Sequence, residues 1–265
     1  MRLCSIASGS SGNCIYVGSD ATHLLVDTGI SGKRMVAGVE SLGIKPSELD
    51  GILITHEHSD HISGLGIMAR KYEIPIYTTR ETYEAIKQDK KIGLLPEGLF
   101  HEVRYDEKFI LKDMEIYPVR ISHDAKKPVA YRVGCEKKKV GILTDLGNFN
   151  DYIVECMSNL DAVLLEANHD VNMLQVGPYP YYLKQRILGD RGHLSNELCG
   201  RLLDRILHNG TKQVVLGHLS KENNMPELAY ETVRLEIDMS DSPFKAKDFH
   251  LSVAKRSEVS EVIEI

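Results

Sequence analysis

The chain has 265 residues, enough to bury a sizeable core in one large domain. Hydrophobic residues make up 42% and charged residues 26%, and the net charge of −6 argues against a generic nucleic-acid coat while leaving room for a local basic groove. No run of about 18 apolar residues is present, so no membrane-spanning helix is expected, and the first residues lack the apolar stretch of a signal peptide. Cys4, Cys14, Cys135, Cys156 and Cys199 are scattered and form no CxxC pair. That pattern speaks for reduced thiols in a cytoplasmic protein and against a disulfide frame or a thiolate metal site.

In chain order, apolar runs over 2–7, 14–18 and 23–27 read as strands separated by Gly/Ser turns. Residues 31–43 predict a helix with Met35, Val36, Val39 and Leu42 on one face. A strand over 49–55, a helix over 60–72, a strand over 75–79 and a helix over 80–89 follow. Residues 101–122 predict a strand pair, and 129–145 a hairpin tipped by the charged Glu136–Lys139 run. Strands are expected over 160–167 and 211–218, helices over 194–207 and 225–237, and residues 249–256 and 261–265 are expected to pair as closing strands. Alternation of this kind, unbroken by any low-complexity linker, predicts one α/β domain spanning 1–265.

Six of the apolar runs stop on a residue that can bind a metal or support a ligand: Asp27, His56, His123, Asp145, Glu166 and His218. Strands of an α/β sheet present functional groups at one end, where loops gather. The densest stretch is "HEHSDH". His56 and His58, two apart, project to one side of an extended loop, and Asp60 and His61 follow where the chain turns into a helix whose N-terminus favours the aspartate charge. Imidazole and carboxylate suit zinc, manganese or iron.

HxHxDH after a strand resembles the signature of the metallo-β-lactamase superfamily, with "LVDTG" (Asp27), His123, "LTDLGN" (Asp145) and His218 similar in order and spacing to its other motifs. The opening "SIASGSSGNCIYV" and late "LGHLSKENN" resemble one bacterial branch, the WalJ/YycJ-like hydrolases, which is similar to tRNase Z-type phosphodiesterases. The resemblance implies a four-layer αββα sandwich binding two divalent metal ions, Zn²⁺ or Mn²⁺. It places one ion on His56, His58 and His123, the second on Asp60, His61 and His218, and Asp145 between them. Asp27 would orient a ligand histidine or Asp60 from behind.

Seven ligands with only two carboxylates leave such a pair of ions net positive, which suits the growing negative charge of phosphodiester hydrolysis. Asp60 would border the attacking water. His193, in "RGHLSNE", stands in the place of an additional histidine that the related nucleases use near the scissile phosphate, to clamp an oxygen or protonate the leaving alkoxide. Lys221 and Asn223 are candidate substrate contacts beside His218. "SGSSGN" (8–13) suits a tight turn, with amides able to cradle phosphate. "GPYPYYLKQRILGDRGH" interleaves Tyr179, Tyr181 and Tyr182 with Lys184, Arg186 and Arg191: either a helix packed by its tyrosines or a stacking surface for a nucleic-acid strand. Glu166 and His169 read as capping residues.

A metal-dependent nuclease acting on DNA from a 5′ end is the favoured expectation. Hydrolysis of small cyclic phosphodiesters or of acyl substrates (lactam or thioester) is the alternative. A nucleic-acid-binding module with a structural metal is a third reading, against which the full ligand set counts.

Overall fold

The computed structural model describes residues 1–265. The chain resolves into two compact units: Met1–Arg120 with Ala125–Lys137 and Lys255–Ile265, and Ile121–Asp124 with Lys138–Ala254.

The first unit runs β1 (Arg2–Ala7), β2 (Cys14–Gly18), β3 (His23–Val26), α1 (Gly32–Ser41), β4 (Gly51–Leu53), α2 (Ser59–Ile62), α3 (Leu65–Tyr72), β5 (Ile76–Thr78), α4 (Arg80–Gln88), β6 (Phe100–Glu102), β7 (Phe109–Leu111), β8 (Met114–Arg120) and β9 (Val129–Cys135). β1, β2 and β3 pair antiparallel, and β3 to β6 continue as parallel neighbours. The β2 and β4 runs are wholly buried, the pattern of strands covered on both faces. Leu25, Ile52, Ile54 and Ile76 pack with Met35 and Val39 of α1 and Leu65 and Met68 of α3. Each such side chain contributes about 1.5–3 kcal/mol on burial. β7, β8 and β9 form an antiparallel ribbon.

The second unit holds β10 (Lys138–Leu143), α5 (Asp151–Cys156), β11 (Ala162–Glu166), α6 (Val171–Val176), α7 (Tyr181–Leu188), α8 (Asn196–Ile206), β12 (Gln213–Gly217), α9 (Pro226–Met239) and β13 (His250–Val253). β10, β11, β12 and β13 are parallel neighbours in that order. The loops that follow β10, β11 and β12 therefore leave one edge. Helices start where a side chain accepts a backbone N–H: Asn150 for α5, Asp170 for α6 and Ser195 for α8. No helix is long and apolar enough to cross a membrane. All five cysteines are free thiols.

Three local expectations change. The helix over 60–72 is two helices broken at Gly64, whose N–H donates to Thr28 O at 2.8 Å. A Cβ there would lie 2.2 Å from Ile30 O, so the chain passes its neighbour too closely for a side chain or a continuous helix. The strand pair over 101–122 is β7 with β8, while Phe100–Glu102 instead joins β5 in parallel. The two closing strands do not pair with each other: β13 extends the second unit's sheet beside β12, and β14 (Ile263–Glu264) returns to β1 in the first unit.

Candidate metal centre

In the first unit, β3 and β4 are parallel neighbours, so Asp27 and the Thr55–His56 step emerge at the same end. Asp27 is fully buried and turns the chain with φ 62°, a left-handed conformation that Asp tolerates better than most residues. Its carboxylate accepts from Thr55 N at 2.9 Å, from Thr55 Oγ1 and from His61 Nδ1 at 2.7 Å. With its hydroxyl proton on Asp27, Thr55 Oγ1 accepts from His56 Nδ1 at 3.0 Å. One carboxylate thus fixes two imidazoles, directly for His61 and through Thr55 for His56. With Nδ1–H engaged, the neutral rings carry their lone pair on Nε2, the form that binds a metal. The His56 ring centroid lies 4.6 Å from that of His58 and 4.1 Å from that of His61, and Asp60 Oδ2 is 3.5 Å from His61 Nε2. His58 precedes the four-residue helix α2 without a side-chain capping bond, and Asp60 lies in the helix's first turn.

The "SGSSGN" turn braces this loop. Asn13 Oδ1 accepts from Gly9 N at 3.0 Å, Asn13 N donates to Asp60 O at 2.8 Å, and Asn13 Nδ2 is 3.2 Å from His61 Nε2. Its Gly9 and Gly12 amides are used within the turn, so the phosphate cradle gives way to a structural brace. A Cβ on Gly29 would lie 1.6 Å from Asp60 O, so only glycine lets that carbonyl approach.

In the second unit, Asp145, Glu166 and His218 follow the adjacent parallel strands β10, β11 and β12. Asp145 (φ 59°) and His218 (φ 53°) share the left-handed turn of Asp27. Asp145, Glu166, His193 and His218 each offer a ligand atom within 4.8 Å of the others. Asp145 Oδ2 is 3.0 Å from His218 Nδ1, and its Oδ1 is 3.5 Å from His123 Nε2. His123 is oriented from behind: Nδ1 lies 3.0 Å from Gly192 O, and Arg191 donates to the His123 carbonyl from Nε at 3.1 Å and Nη2 at 3.0 Å.

Glu166 is more than a cap. It is fully buried and gathers Leu146 N at 2.8 Å, His193 Nδ1 at 2.7 Å and His218 Nδ1 at 3.4 Å. Burial alone would lower the His193 pKa; the Glu166 charge and hydrogen bond, helped by Asp145, outweigh it and raise the pKa above the ordinary value. The His193 side chain is 19% exposed and open to a ligand. Lys221 is exposed, whereas Asn223 is fully buried with its amide nitrogen on Ser220 Oγ, which makes it part of the loop's framework.

Beside this cluster, His169 is 1% exposed and neither ring nitrogen has a hydrogen-bond partner. Burial, helped by nearby His193, lowers its pKa to about 4. An unfolded histidine takes up a proton near pH 6.5, so the folded state loses stability as pH falls from about 6.5 to about 4, by up to about 3 kcal/mol. His169→Gln is expected to flatten the pH dependence of unfolding within that window, measured by urea denaturation at pH 7.5, 5.5 and 4.5; equal slopes for variant and parent would contradict it.

The donor set of two carboxylates, a carboxylate-held imidazole and a carbonyl-held imidazole fits divalent cations without a thiolate. Residues 22–219 match the beta-lactamase superfamily domain. Exodeoxyribonuclease WalJ of Streptococcus pneumoniae is 43% identical over 89% of this chain and 88% of its own length. Exodeoxyribonuclease YycJ of Bacillus anthracis is 39% identical over 86% of each. Among solved structures, the metallo-β-lactamase fold protein YhfI of Bacillus subtilis aligns with TM-score 0.69 at 17% identity, over 98% of this chain and 99% of that one. Human tRNase Z, short form, aligns with TM-score 0.67 at 15% identity, over 98% and 99%. The strand and helix order, the full-length likeness of fold and the matched domain agree: this chain belongs to the metallo-β-lactamase superfamily, in the branch that includes WalJ and YycJ.

Proposed function

We propose that this protein is a metal-dependent exodeoxyribonuclease that removes nucleotides from a 5′ end in the cytoplasm, its two units working as one catalytic domain. The observation that carries this reading is 43% identity, along nearly the whole chain, to a protein named exodeoxyribonuclease. By likeness to the family, His56, His58, Asp60, His61, His123, Asp145 and His218 would hold two divalent ions, Zn²⁺ or Mn²⁺. Such ions supply Lewis acidity and a water made nucleophilic at neutral pH. The chain's own contribution is placement. Asp27 and Thr55 fix the tautomers of His56 and His61, Arg191 and Gly192 fix His123, and Asp60 orients the attacking water. His193, held on Glu166, donates a hydrogen bond to a phosphoryl oxygen and a proton to the departing alkoxide. Lys221 contacts the substrate backbone.

The test supplies purified protein with Mn²⁺ or Zn²⁺ and three substrates: a labelled 5′-phosphorylated duplex, a chromogenic bis-phosphodiester and a chromogenic lactam. Mononucleotides or short products from the duplex are expected. Lactam turnover with intact DNA would overturn the reading.

Metal removal has its own readout. Ions held at about a thousand times their dissociation constant stabilise a fold by about 4 kcal/mol. At about 2–4 °C per kcal/mol for a chain of this size, chelation with EDTA is expected to lower Tm by about 10 °C, and Mn²⁺ or Zn²⁺ to restore it. Identical melting curves with and without chelator would count against bound ions.

A further inference from the structure

α7 is, with α6, the least buried helix of the second unit. Only Ile187 of its eight residues is buried, while Tyr181 and Tyr182 are 76% and 73% exposed. The helix is therefore not packed by its tyrosines. Leu188 and, at the end of α6, Val176 are exposed as well, and a shallow groove lies between Gln175, Tyr181, Lys184, Gln185 and Leu188. Clustered exposed rings and aliphatics on a soluble chain mark a surface that meets a ligand.

Two features point to what covers it. The first is position. Tyr182 and Arg186 are four apart and share a helix face. The Arg186 guanidinium pairs with Asp124, the residue after His123, and Ile187 O accepts from His193 N at 3.1 Å. The helix is tied by one bond to His193 and by the other to the neighbour of His123. The second is charge. Lys184, Arg186 and Arg191 stand on this face against Asp190 and the Asp124 that pairs with Arg186, a net +1 on a chain of net charge −6. A second copy laying the same basic face against itself would meet like charge, whereas a polyanion meets complementary charge.

We infer that Tyr181 and Tyr182 form a stacking platform for unpaired bases of the strand entering the site, with Lys184 and Arg186 beside its phosphates; this rests on the nucleic-acid reading above. Stacking on an aromatic ring is sequence-tolerant, which suits degradation of any sequence.

The experiment measures anisotropy of a 3′-fluorescein, 5′-phosphorylated 12-mer of single-stranded DNA against the full chain in EDTA, where no turnover occurs. Tyr181→Ala/Tyr182→Ala is expected to weaken binding about tenfold or more, since each stacked base is worth about a tenfold change or greater. Tyr181→Phe/Tyr182→Phe is expected to keep the affinity. Abasic substitution of the 5′-terminal nucleotides is expected to weaken binding to the parent but not to the alanine variant. Both pairs are surface residues, so an unchanged circular dichroism spectrum serves as the folding check. Equal affinity of parent and alanine variant would overturn the platform while leaving the nuclease reading intact. No DNA binding by the parent would overturn the platform as well, and duplex cleavage with Mn²⁺ or Zn²⁺ then decides the nuclease reading separately. A dimer of the parent that the alanine variant dissociates, with DNA affinity unchanged, would assign the face to self-association and overturn the platform.

Discussion

Asp145→Ala is expected to strip metal from the protein and to lower phosphodiester turnover by at least about a thousandfold, into the range that other essential active-site groups reach. The carboxylate is 2% exposed and faces three imidazoles within its own unit: His218 Nδ1 at 3.0 Å, His123 Nε2 at 3.5 Å and His193 Nδ1 at 3.6 Å. Removing it takes away the negative charge that, in the proposed centre, would hold a cation together with His123 and His218. Its backbone supports the same conclusion. A non-glycine residue at φ 59° costs about 1 kcal/mol or more, and is kept where the side chain must point one way. Alanine keeps that backbone cost and loses the carboxylate. Asp145→Asn separates charge from shape: it holds the size of the side chain but is expected to bind metal as poorly as alanine. Elemental analysis of both variants after metal loading, beside kcat/KM on a 5′-phosphorylated duplex, decides the matter. Full metal occupancy together with parental turnover in Asp145→Ala would remove the aspartate from the centre.

Why this aspartate was legible in the sequence, and other residues were not, is a matter of range. Asp27, His56, Asp145, Glu166 and His218 each end an apolar run, and within each unit parallel strands bring such ends to one edge of that unit's sheet, so periodicity plus one residue type exposes them. Thr55 and Asn13 carry no such mark. Thr55 matters because its hydroxyl lies between Asp27 and His56, and Asn13 because its backbone and amide meet Asp60 and His61, 47 and 48 residues away. Only the folded chain supplies those partners. Glu166 is visible as a strand end, but a buried carboxylate reads as a cap until its partners are known, and its partners, Leu146, His193 with Leu194, and His218, come from three loops. The left-handed turns at Asp27, Asp145 and His218 were equally hidden, since aspartate and histidine enter that region without the glycine that would announce it. The closing strands failed for a different reason. Two β-runs adjacent in sequence suggest a hairpin, yet the Ala254 N–H donates to Leu216 O and extends the parallel sheet, while the chain's last strand finds β1.

His193→Ala is expected to leave metal content at the parental level and to slow DNA cleavage by about a hundred- to ten-thousandfold, the range typical of a lost general acid. The separation of the two readouts is the point. His193 sits at the entrance of α8, its Nδ1 2.7 Å from Glu166 Oε1, and unlike His123 and His218 it retains 19% exposure. A ring held from behind by a carboxylate presents its other nitrogen to whatever enters, which is the geometry of a donor to substrate. If Glu166 acts by positioning that ring, Glu166→Gln lowers kcat with KM little changed, and the Glu166→Gln/His193→Ala double variant is no slower than His193→Ala alone, because both substitutions remove the same function. If Glu166 instead served only the fold, it would lower Tm, and the two effects on kcat would multiply. A substrate with a p-nitrophenolate leaving group, which departs without a proton, sharpens the distinction: His193→Ala is expected to lose far less activity on it than on DNA. Equal losses on both substrates would reassign His193 from proton donor to phosphate clamp, and parental DNA cleavage by His193→Ala would deny it either role.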